Sequence, residues 1–303
     1  MSGPFVTHNF KRFSPYTTHS RLEELHGGMQ WTEGPVWFAD AQCLLFSDIP
    51  SNKIYRWVDG QGVSVFRAPS NKTNGLTRDR RGRLVACESG ARRITRTELN
   101  GEVTVLADRF EGAALNSPND VVVKSDGSVW FTDPDYGIRN DYTGFRAQRE
   151  QAFCNVYRLD EETGALTVAS RELSRPNGLA FSPDEKTLYV ADSGISHDPV
   201  GAHHIVAFDV YEGRLTNRRV FADIEGGGVP DGFRVDVDGN LWICTVYAGI
   251  VVYASDGECI GRIDIPGPAA NLCFGGVGLG RLFITCGPTL YSLYTGTRGL
   301  NTV

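Results

Sequence analysis

The chain repeats itself. Six times a small polar or acidic residue at a turn leads into an apolar run: Glu33-Gly34-Pro35-Val36, Asn74-Gly75-Leu76, Asn119-Asp120-Val121, Asn177-Gly178-Leu179, Asp231-Gly232-Phe233 and Asn271-Leu272-Cys273. Successive units begin about 40 to 58 residues apart, which suits propeller blades better than helical solenoids. Each unit continues with a turn and a second apolar run, such as Ser125-Asp126-Gly127 followed by Val129-Trp130-Phe131. A third run then follows, for example Val156-Tyr157, so every unit reads as consecutive antiparallel strands.

The first five units also supply a fourth strand, as in Val63-Ser64-Val65-Phe66, but the sixth runs out of residues soon after Leu293. Arg21-Leu22-Glu23-Glu24-Leu25 precedes the first unit and is free to take that slot. Closing the ring this way removes an exposed sheet edge. The expectation is all-β: one six-bladed β-propeller domain over 1–303, with 1–20 as an N-terminal extension, 21–303 as the propeller, and the ring closed by an N-terminal strand. Units three and four are longer than the rest, which places insertions at 137–152 and 194–203, where loops carry specificity. Within the first of these, Tyr142 to Gln151 has room for one short helical turn. The glycine cluster from Gly275 to Gly280 misses dinucleotide-binding spacing and reads as a flexible hairpin.

Composition narrows the function classes. With 303 residues, 22% of them charged, and a net charge of -6, the chain is globular, with no basic stripe for nucleic acid or an anionic membrane surface. No apolar run is long enough to span a bilayer. Seven cysteines without a CxxC pair read as free thiols in a reducing cytoplasm, and the N-terminal stretch lacks the layout of a signal peptide. No sequence feature speaks to oligomeric state.

In a propeller the innermost strands line a central channel, so Glu33, Asn74, Asn119, Asn177, Asp231 and Asn271 converge. Singly, each is an ordinary turn residue. As a set, two carboxylates and four amides facing one channel need a partner, and a divalent cation is the economical one. An all-oxygen donor set suits calcium first, then magnesium or manganese, with zinc disfavoured by donor type.

Four segments carry a resemblance. Glu33-Gly34-Pro35-Val36-Trp37, Ser117-Pro118-Asn119-Asp120-Val121, Arg175 through Asp184 with its Pro176-Asn177-Gly178 core, and Pro230-Asp231-Gly232 resemble, in order, the signature segments of the SMP-30/gluconolactonase/LRE-like family. The resemblance spans roughly Trp31 to Leu293. It implies a six-bladed propeller with one catalytic divalent metal, held by Glu33, Asn177 and Asp231, and by Asn119 as either metal ligand or substrate contact. It further implies lactone hydrolysis on a small sugar-acid lactone, with Asp231 as general base. Metal coordination lowers a carboxylate's basicity, so that role requires one oxygen of Asp231 to stay off the metal.

For substrate contacts the expectation falls on Asn74, Glu88, Arg93, Asp133 and Tyr136, which lie at or just past strand ends facing the same end of the channel; Arg92, Asp192 and Ser193 share that placement. No GxSxG elbow or HExxH motif appears, which argues against a serine triad or a zincin. Two alternatives remain beside the lactonase reading. One is a phosphotriesterase or fluorophosphatase, which related calcium propellers build on a similar ligand set. The other is a non-catalytic binding propeller, although the Gly-His and Trp-Asp signatures of such scaffolds do not recur here.

Overall fold

Each repeat folds into an antiparallel blade, and six blades close into the expected ring. The computed structural model describes residues 4–300. Blade one comprises Thr32–Phe38, Cys43–Asp48, Lys53–Val58 and Gly62–Arg67, and blade two Thr73–Arg78, Leu84–Glu88, Arg93–Thr97 and Val103–Ala107. Blades three and four begin with the innermost strands Val121–Val123 and Pro176–Phe181. In blade five, Pro230–Val235 is innermost and Phe5–Thr7 is added outside Cys259–Ile263. Blade six has three strands from the end of the chain, and its fourth is Glu23–His26, which pairs antiparallel with Thr289–Tyr294.

Six apolar clusters hold the ring, one at each junction between neighbouring blades. Alternation along each strand explains this, because a blade buried on both faces sends successive side chains to opposite neighbours. In blade three, Phe131 packs toward blade two while Trp130 packs toward blade four. The segment ahead of the closing strand is also built in. Phe13 is fully buried between blades five and six beside Trp242, and its ring fills the space that a side chain at Gly261 would need.

One local expectation changes. Residues 142–151 form no helix; the short helix is Tyr136–Arg139 instead. The Asn140 side chain accepts from the backbone N–H groups of Tyr142 and Thr143, and that turn stops helix propagation. The glycine-rich connection in blade six is a hairpin, as expected, joining the antiparallel strands Ala269–Gly275 and Arg281–Cys286. The free-thiol expectation holds for all seven cysteines, six of them buried.

Candidate active site

The innermost strands of blades one, two, four and five break register near one end, between Glu33 and Val36, Thr73 and Leu76, Pro176 and Leu179, and Pro230 and Phe233. A bulge re-aims a side chain out of the strand's alternation. These four bulges carry Glu33, Asn74, Asn177 and Asp231. Glycine follows each of them because the blades approach too closely for a Cβ. At Gly178 that atom would lie 2.4 Å from the Asp231 carbonyl oxygen, and at Gly75 2.5 Å from the Asn119 carbonyl oxygen. Hydroxyls on neighbouring strands clamp the same backbone. Ser47 donates to the Asn74 carbonyl at 2.7 Å, Thr132 to that of Asn177 at 2.7 Å, and Ser193 to that of Pro230 at 2.6 Å.

Glu33 and Asp231 are therefore both buried toward the channel, 4% and 9% exposed, and close enough for the charge of Glu33 to act on Asp231. Burial pushes the Glu33 carboxyl up to about 7, against the Gly34 N–H that it accepts at 3.0 Å. Asp231 is pushed well above the ordinary carboxylate range, first by burial and then by the charge of Glu33, while the Asn177 amide acts the other way. Among the described residues neither carboxylate makes an ion pair, so both behave as donors lacking a counter-charge. Asn74 and Asn119 are 9% and 7% exposed, and no hydrogen bond among the described residues engages either amide. Among the described residues no three His, Cys, Asp or Glu side chains cluster to hold a metal, so a cation here would draw on amide oxygens as well as two carboxylates. That donor set fits a hard divalent ion.

Asn271 plays a different part from the other channel amides. Its Oδ1 accepts from the Leu272 backbone N–H at 2.9 Å, which turns the NH₂ group toward Glu33 and Asp120.

Three of the expected substrate contacts are committed elsewhere. Glu88, 1% exposed, accepts from Asn71 at 2.8 Å, Arg93 at 2.8 Å and Thr95 at 3.0 Å. Glu88 and Arg93 thus satisfy each other within blade two. Asp133 is fully buried and accepts from the Asn116 backbone N–H at 2.8 Å, and burial pushes its carboxyl up to about 7. Asp48 and Asp192 occupy the same place in blades one and four, accepting from Trp31 and Ser174. A carboxylate at the end of the second strand is a recurring brace for the loop entering the innermost strand, and a braced carboxylate is not free for sugar hydroxyls.

Tyr136 stands at the mouth. Its hydroxyl lies 3.0 Å from that of Ser196, its ring 5.5 Å from that of His197, and burial with the nearby charge of Asp231 holds it in the phenol form. Ser196 and His197 belong to the 194–203 insertion. The 137–152 insertion leans the other way, its Tyr142 hydroxyl 3.5 Å from the Gln30 carbonyl and its Phe145 ring 5.9 Å from the Lys72 ammonium. The two insertions flank the channel mouth. Toward the opposite ends of the innermost strands lies a cavity of about 250 Å³, bordered by Trp37, Arg78, Phe181, Arg234 and Phe274.

Asp120 and Arg234 are channel residues that residue-type reasoning passed over. The signal was present, since the position after the channel-facing residue is glycine in four repeats and aspartate in the third.

Comparison with known proteins agrees with this architecture. A gluconolactonase structure from Xanthomonas campestris superposes with a TM-score of 0.90 at 39% identity, covering 97% of this chain and 95% of that one. A gluconolactonase of Zymomonas mobilis is 35% identical over 298 residues, covering 92% of this chain and 82% of the relative. A pentonolactonase of Haloferax volcanii is 30% identical over 260 residues, covering 84% of this chain and 80% of the relative. The SMP-30/Gluconolactonase/LRE-like region model matches residues 31–287, which include Glu33, Asn119, Asn177 and Asp231, and the chain belongs to that family.

Proposed function

We propose that this chain hydrolyses a sugar-acid lactone with the help of one divalent metal ion, calcium first among the candidates. The observation that carries the reading is the forced approach of Glu33 and Asp231, two buried carboxylates with no ion-pair partner among the described residues, beside the Asn177 amide. The named gluconolactonase and pentonolactonase relatives support the substrate class.

Glu33, Asn177 and Asp231 would hold the cation, with Asn119 completing the set or contacting substrate. Bound there, the cation supplies Lewis acidity to the lactone carbonyl. Asp231 would take the proton of the attacking water through an oxygen left off the cation. The same carboxyl returns the proton to the ring oxygen as the carbon–oxygen bond opens, leaving the hydroxy acid. Asn74 and the Tyr136 hydroxyl are placed to meet substrate hydroxyls, the latter as a neutral phenol that both donates and accepts.

Turnover of an aldonolactone panel, followed by acid release beside a fluorophosphate, tests the proposal. Metal-dependent opening of at least one lactone well above its spontaneous rate, lost in Asp231→Asn, is expected. Turnover of the fluorophosphate alone, or an Asp231→Asn variant with full lactone turnover, would contradict it.

A further inference from the structure

In four repeats the residue after the channel-facing side chain is a glycine; in the third it is Asp120. A Cβ at Gly75 would sit 2.7 Å from Asp120 Oδ1, so the bare glycine is what leaves room for this carboxylate. Asp120 is 1% exposed. Its Oδ1 accepts from the Val121 N–H at 2.9 Å, whereas its buried Oδ2 has no hydrogen bond and lies 3.7 Å from Nη1 of Arg234. Arg234 comes from the innermost strand of blade five, and the same Nη1 donates to the Phe233 carbonyl at 2.7 Å. Asn271, on the innermost strand of blade six, turns its amide toward both Glu33 and Asp120.

Charge gives the arrangement a purpose. With a cation bound and all three carboxyls ionised, Glu33, Asp231 and Asp120 would supply three negative charges against the single positive charge of Arg234. The remainder matches a divalent cation. Asp120 forms no metal-holding cluster with the other two carboxylates, so it acts from behind them.

We propose that Asp120 and Arg234 form a counter-ion pair behind the metal site that positions Glu33 through Asn271 and sets the local charge to the value a divalent cation neutralises. The inference rests on the metal-dependent reading above. Both are positioning residues, reaching the cation only through others.

The test is metal affinity of the full-length, metal-stripped protein, read by Mn²⁺ paramagnetic resonance with Ca²⁺ as competitor. Asp120→Asn leaves Arg234 uncompensated and weakens binding about 10- to 100-fold, the range typical of partners behind a metal's ligands. Adding Arg234→Met to Asp120→Asn restores affinity to within about threefold of the parent, a rescue that a merely structural role would not produce. Arg234→Met alone tightens binding, and it carries the same test from the other partner should Asp120→Asn fail to fold. Unchanged affinity in Asp120→Asn, or a double variant as weak as the single, overturns the proposal while the metal site stands. A parent protein that binds neither ion overturns the metal reading itself, and this inference with it.

Discussion

Replacing Asp231 by Asn makes the metal-free protein more stable and the metal-loaded protein less so. The magnitude follows from Glu33, whose carboxyl moves from 4.5 to about 7 on folding. Between those values the folded state binds more protons than the unfolded one, so stability falls as pH rises through that window and levels off above it. The shift corresponds to about 3 kcal/mol lost by pH 8 in the absence of a cation. Burial is the largest cause, and the like charge that adds to it on Glu33 is that of Asp120, while Glu33 in turn raises Asp231. Asn at 231 keeps the shape and removes a buried carboxyl that is costly to ionise beside Glu33, recovering about 1 to 2 kcal/mol, or about 2 to 4 °C in a domain of this size. Thermal unfolding in chelator at pH 5 and pH 8 reads this directly, with the variant expected above the parent at pH 8. A cation at about 100 times its Kd adds about 2.7 kcal/mol to the parent and little to the variant, so the order inverts. The reasoning is refuted if the metal-free variant melts below the parent at pH 8, or if both rise equally with the ion.

Other substitutions separate scaffold from site. Glu88→Gln strands Arg93 and the buried Nη1 of Arg67, and costs about 2 to 3 kcal/mol in chemical denaturation while leaving KM for the lactone unchanged. Gly178→Ala pushes a methyl against the Asp231 carbonyl oxygen, and activity is expected to fall more steeply than stability because the bulge that carries Asn177 must shift. Phe13→Ala empties a fully buried site and costs about 3 to 5 kcal/mol, with kcat/KM at low temperature preserved, since blades five and six meet there far from the chemistry.

The repeat pattern made the ring and its closing strand legible, because turn and strand signals recur in one order and the last unit is visibly short. The channel-facing positions were legible for the same reason, as polar residues recurring at the start of each innermost strand, whereas the register breaks that carry four of them were not. The equivalent placement of Glu88 and Asp133 past the second strand reads as facing substrate. Set against their counterparts, Asp48 and Asp192, a carboxylate at that strand end is a recurring brace, and recurrence across blades argues for scaffold. Asp120 is the reverse case, a residue that departs from its repeat and does so at the channel. Neither the direction of the Asn271 amide nor the reach of Arg234 from blade five could be read from sequence, since both depend on contacts between units far apart in the chain.

The most direct test of the account is lactone turnover by metal-stripped protein titrated with Ca²⁺, Mg²⁺, Mn²⁺ and Zn²⁺ in turn. The account predicts that stripping reduces the rate to the spontaneous background and that one equivalent of the right ion restores it. Undiminished turnover by protein shown by elemental analysis to hold no metal would contradict it.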